Sequence, residues 1–150
     1  MPRPKREEQF TADEVCITHL TQRCTRRAFL AGVDQFSGRD YSHRKRWIQR
    51  RMEALASVFA CDLLCVAVMS NHMHLILRNR PDVVQQWSDE EVAIRWLRVF
   101  PGRRIEEHIA EPNDHDVKCL VNDSERMKVI RSRLSDISWF MRALAEPIAR

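Results

Sequence analysis

The chain has 150 residues, of which 44% are hydrophobic and 31% charged, and a formal net charge of +4 with the histidines neutral. That length is one domain with room for a buried core, and the balance of apolar and charged residues excludes a disordered chain. No apolar run approaches the ~20 residues of a membrane span and the basic N-terminus lacks the apolar stretch of a signal peptide, so the expected compartment is the cytoplasm, with no membrane partner.

Residues 1–14 open with Pro2-Arg3-Pro4-Lys5-Arg6 and read as a basic tail; residues 15–150 read as one domain. Val15 to Gln22 is β-branched and roughly alternating, which predicts a strand with Val15, Ile17, His19 and Thr21 on one face. Arg23, Arg26 and Arg27 follow within five residues, a candidate phosphate clamp because guanidinium forks match phosphate oxygens. A loop at 36–40 precedes a helix expected from about Ser42 to Ala60, with Ile48, Met52, Leu55 and Phe59 as its apolar stripe. Arg44, Lys45, Arg46, Arg50 and Arg51 lie off that stripe and form a second candidate DNA-binding face.

Asp62 to Met69 reads as a buried strand, Ser70-Asn71 as a tight turn and His72 to Arg78 as the partner strand of an antiparallel hairpin. Strand alternation sets His72, His74 and Ile76 on one face and Met73, Leu75 and Leu77 on the other. Two imidazoles one residue apart on a stiff strand are placed to hold one divalent cation; the alternative is a pair of half-exposed strand histidines. Pro81 to Gln86 predicts a short helix, and Ser88-Asp89-Glu90-Glu91 has a capping-box pattern for a helix carrying Val92, Trp96 and Val99 inward. Trp87 and Trp96 read as packing residues. Arg103 to Asn122 carries no clear pattern. From Asp123 or Ser124 a final helical region carries Leu134, Ile137, Met141, Leu144 and Ile148 on one stripe, with Pro147 late in it. It reaches Arg150 with no C-cap signal, which suggests a fragment or an early-terminating version of something longer.

Five cysteines, an odd number without a repeated C-x-x-C spacing, indicate neither a disulfide framework nor a zinc ribbon, and Cys61 and Cys65 read as small buried hydrophobes. Charge is uneven: residues 1–60 hold 12 Lys and Arg against 7 Asp and Glu, and residues 79–123 hold 6 against 10. The basic first third points to an anionic partner, with nucleic acid the usual one.

Three of these stretches, in this order, resemble the single-tyrosine transposases of the HUH endonuclease superfamily, in particular the REP-associated tyrosine transposases. They are Thr18-His19-Leu20-Thr21-Gln22-Arg23 with Arg26-Arg27 and Phe29, then Val68 to Leu77 around His72-Met73-His74, then Leu134 to Leu144 with its Ser-x-x-Met-x-x-Leu core. The resemblance implies an α+β, ferredoxin-like fold: an antiparallel sheet of four or five strands with helices mainly on one face. It also implies a Mg²⁺ or Mn²⁺ ion on His72 and His74, single-stranded or hairpin DNA as partner, and a homodimer. In that family a tyrosine attacks a phosphodiester and becomes linked to one DNA end. Here Ile148 stands at the tyrosine position, and the third metal ligand would fall beyond Arg150. The chain's one tyrosine, Tyr41, lies in the loop before the basic helix. The resemblance therefore implies a DNA-binding scaffold impaired in tyrosine cleavage. The alternatives are a metal-dependent nuclease using Tyr41 or water, and a DNA-binding regulator without catalysis.

Overall fold

The computed structural model describes residues 13–23, 29–101 and 111–148. It is an α+β arrangement in the order β1 (Ile17–Arg23), α1 (Ser42–Val58), β2 (Cys61–Val68), β3 (His72–Asn79), α2 (Pro81–Val84), α3 (Asp89–Val99), α4 (Asp114–Val121), α5 (Ser124–Arg133) and α6 (Ile137–Ile148). Among the described residues the sheet has three strands, not four or five, in the order β1-β3-β2 with both pairings antiparallel. The basic tail up to residue 12, and Arg26 and Arg27, lie outside the described residues.

β3 is central, and its alternation decides what each sheet face does. Met73, Leu75 and Leu77 are fully buried, whereas His72, His74, Ile76 and Arg78 are only half-buried. The first set joins a single core with Leu20 of β1, Ile48, Met52 and Leu55 of α1, Val92 and Trp96 of α3, and Phe140, Met141 and Leu144 of α6. The helices thus cover one face of the sheet and leave the other to solvent. Asn79, at the buried end of β3, accepts the Cys16 amide on Oδ1 at 2.6 Å and donates from Nδ2 to the Glu14 carbonyl at 2.9 Å. Those bonds fix where the chain enters β1.

β2 differs from its expected role as a buried strand. Cys61 is buried, but Leu64, Cys65, Val66 and Ala67 are exposed, because β2 is an edge strand with β3 on one side and a register shift between Leu63 and Cys65. Cys65 is accordingly an exposed thiol on the open face, opposite Ile76. Burial pushes the Cys61 thiol up to about 12. Since the thiolate is the reactive form, a thiol reagent at pH 8 is expected to label Cys65 and Cys119 in the folded protein and Cys61 only after denaturation. Mass mapping of the labelled residues checks this.

The helices follow their sequence signals with two exceptions. Ser88 caps α3 by accepting the Glu91 amide at 3.1 Å, but Glu91 does not reach back; its carboxylate pairs with Arg95 at 2.8 Å. The final helical region is two helices, capped separately. Asp123 accepts the Arg126 amide to start α5, and Asp136 accepts the Ser138 amide at 2.6 Å to start α6. Asn113 caps α4, which fills part of the stretch without a sequence pattern. Trp87 lies under Arg95 at 4.0 Å, and Trp96 packs with Phe100 and Trp139, so both serve packing.

Candidate metal and nucleic-acid site

Antiparallel register puts paired residues on the same face of a sheet. The pairs Ile17–Arg78, His19–Ile76, Thr21–His74 and Arg23–His72 therefore line the open face of β1 and β3. At its β3 beginning this face carries three imidazoles and a guanidinium. The His19 and His74 rings stack with centroids 5.1 Å apart, and His72 meets His74 edge-on, also at 5.1 Å. His72 and His74 thus stand side by side as alternation predicts.

Hydrogen bonds engage Nδ1 of both rings. Nδ1 of His72 lies 2.6 Å from Oδ1 of Asn71. A carbonyl oxygen only accepts, so Nδ1 carries the proton and Nε2 keeps the lone pair. Nδ1 of His74 lies 3.0 Å from Nε2 of His19 and 3.2 Å from Oγ1 of Thr21. Either contact can run in either direction, because the Thr21 hydroxyl and the His19 ring nitrogen each donate or accept; when His74 donates from Nδ1, its Nε2 keeps the lone pair. Metal-binding histidines commonly use their second nitrogen in this way, and the partner sets tautomer and ring orientation.

His72 and His74 offer two nitrogen donors on one face. Among the described residues, no group of three or more His, Cys, Asp or Glu is arranged to hold a metal ion. His19 is the nearest candidate for a third donor, but its Nε2 is committed to His74. Water or phosphate oxygens would have to complete the coordination sphere. A two-nitrogen set of this kind leans toward Mn²⁺ over Mg²⁺.

Arg23 alone among the described basic candidates shares this face, directly opposite His72. Lys45, Arg46 and Arg50 are exposed on α1, but its Ile48, Met52 and Leu55 stripe packs into the core, so these residues point away from the sheet. Arg51 does not belong to that face. It is half-buried and donates to the Ala143 carbonyl of α6 at 3.2 Å. Exposed Trp47 sits among the basic residues and was not singled out by sequence pattern.

Tyr41 stacks on Phe29 with centroids 6.3 Å apart, lies beneath the Arg44 guanidinium at 4.8 Å, and joins no contact with the histidines among the described residues. Ile148 is partly buried against the core at the end of α6, as its place on the apolar stripe requires. A cleft of about 300 Å³ lined by Ser57, Ser88, Glu91 and Arg95 contains none of these groups. His19, Thr21 and Asn71 are the site residues that sequence reasoning missed. Alternation already put His19 and Thr21 on one face of β1, but nothing local said that β3 would lie beside it.

Comparison of the chain with protein-family models, with curated proteins and with solved structures finds no match to any of them. No described helix is long and apolar enough to cross a membrane.

Proposed function

We propose that this chain is a transposase-like DNA-binding protein of the HUH single-tyrosine type, with a ferredoxin-like sheet, impaired in phosphotyrosine cleavage. The observation that carries the reading is the open sheet face, where His72 and His74 stand together with Nδ1 of each already engaged and Arg23 opposite His72. Asn71 and His19 orient the two imidazoles toward a shared Mn²⁺ or Mg²⁺ ion. Arg23 receives a phosphate of single-stranded or hairpin DNA beside them, and Lys45, Arg46 and Arg50 hold more distant phosphates. Once bound, the ion supplies a Lewis acid that polarises a phosphate oxygen. The chain's own nucleophile is the missing part, because an aliphatic side chain at Ile148 has no oxygen to attack with. A homodimer in the cytoplasm is part of the same reading.

The test is an adduct and cleavage assay on hairpin DNA with and without Mn²⁺. The reading expects binding and no covalent protein–DNA adduct. An adduct mapped to Tyr41, whose loop hangs on the same turn as His72, would replace it with an active nuclease. Metal-dependent cutting without an adduct would point to water as nucleophile.

A further inference from the structure

The segment between β1 and α1 carries a side chain that packing does not explain. Phe36 is 99% exposed, at the tip of a short loop whose other side chains from Asp34 to Asp40 are polar and whose base carries Val33, 57% exposed. Leaving a phenyl ring in water forgoes a burial gain of about 1.5–3 kcal/mol, so a loop that holds it there rigidly needs a reason.

The loop is rigidly built. An antiparallel bridge joins Val33 to Asp40, and the Asp34 amide donates to the Arg39 carbonyl at 2.9 Å. The Asp34 carboxylate accepts the Phe36 amide at 3.0 Å and the Ser37 hydroxyl at 2.5 Å, and these bonds hold it below the usual carboxylate range. Gly38 closes the turn at φ +67°, a conformation costly for other residues. Asp40 in turn accepts the Ser42 amide at 2.8 Å, at the start of α1. Both acidic groups of the loop are therefore turned onto its own donors.

The loop is also fixed in place. The Leu30 and Ala31 amides both donate to the Ser70 carbonyl, at 2.6 and 3.3 Å, and the Tyr41 amide donates to the Gly32 carbonyl at 2.8 Å. Ser70 lies in the β2–β3 turn, two residues before His72. Phe36 thus sits on a loop whose base is tied to the turn where β3 starts and which leads directly into the basic first turns of α1. One ring above one exposed valine is too small to be an apolar docking patch. A planar, anion-bearing ligand suits a lone ring on a loop that carries Arg39 and runs on into Lys45 and Arg46 of α1, since every base has a π-face and stacking tolerates sequence.

We propose that Phe36 is a base-stacking residue, which receives one unpaired base of the DNA strand that Arg23 and the α1 face hold by its phosphates. The inference rests on the DNA-binding reading above. It adds a contact that reads unpaired bases and ignores duplex.

The test uses the full chain and a short DNA hairpin carrying 2-aminopurine at one loop position, with binding followed by anisotropy and stacking by quenching of the 2-aminopurine. Quenching on binding by wild type, loss of that quenching in Phe36→Ala with affinity down about 5- to 150-fold, and its recovery in Phe36→Tyr are expected. Placing an abasic site at that position should bring wild type close to Phe36→Ala. Equal affinity and equal quenching by wild type and Phe36→Ala would overturn the stacking role while leaving the DNA-binding reading intact. Failure of wild type to bind the hairpin at low salt would overturn both. Phe36 touches almost nothing, so unchanged thermal unfolding of Phe36→Ala is expected.

Discussion

Affinity for single-stranded DNA is expected to fall about 50-fold between ~50 and ~200 mM salt. The expectation follows from counterion release, with a slope of about −0.7 per neutralised phosphate on single strands, and from four exposed cations, Arg23, Lys45, Arg46 and Arg50. The structure divides these between two surfaces, Arg23 on the open sheet face and the others on the outer side of α1. A strand long enough to pass the end of the sheet should engage both. Replacing Lys45, Arg46 and Arg50 together with alanine should reduce the slope by about 2. Anisotropy titrations at several salt concentrations measure it. A flat salt dependence would remove the phosphate role from all four residues.

Leu75→Ala is expected to destabilise the protein by about 2–5 kcal/mol, the usual result of emptying a core position that cannot collapse. Leu75 is fully buried at the middle of the central strand, paired with Leu20 of β1 and Val66 of β2. Domain stabilities are about 5–15 kcal/mol, so this one change removes a large share. Leu64→Ala makes the contrast. Leu64 sits in the same sheet but is exposed on the edge strand, and its truncation should cost no more than about 0.5 kcal/mol. Urea unfolding of the two variants reads the difference as a shift in midpoint. Comparable shifts for both would mean that the β2 edge is covered in solution, as the proposed homodimer could do.

What could be read from sequence, and what could not, divides by the range of the interaction. α1, α3 and the β2–β3 hairpin were legible because helical stripes, a Ser88 cap and the short Ser70-Asn71 link are local signals. The same locality placed His72 and His74 on one face and Met73, Leu75 and Leu77 on the other. Sheet order is not local. An apolar run such as Asp62 to Met69 looks alike in a buried strand and in an edge strand, so the exposure of Leu64 and Cys65 was not legible. Nor was the meeting of His19 and Thr21 with His74, which depends on β1 pairing with β3 across more than fifty intervening residues. The break between α5 and α6 was hidden by an apolar stripe that continues in step through Leu134 and Ile137. Asp136, two residues before Ser138, was the overlooked cap.

The open face also changes how the histidine pair is understood. A bare His-x-His is commonplace strand decoration. Here each ring is held through Nδ1 by a separate partner, Asn71 for His72 and His19 with Thr21 for His74. Removing such a partner typically weakens metal binding by about 10- to 100-fold.

The central claim is that this pair holds a divalent ion, and titration of Mn²⁺ followed by its free-ion EPR signal tests it most directly. Wild type should take up one Mn²⁺, Asn71→Ala should bind it more weakly, and the His72→Ala/His74→Ala double variant should take up none while keeping its thermal unfolding. Equal uptake by wild type and the double variant would contradict the account.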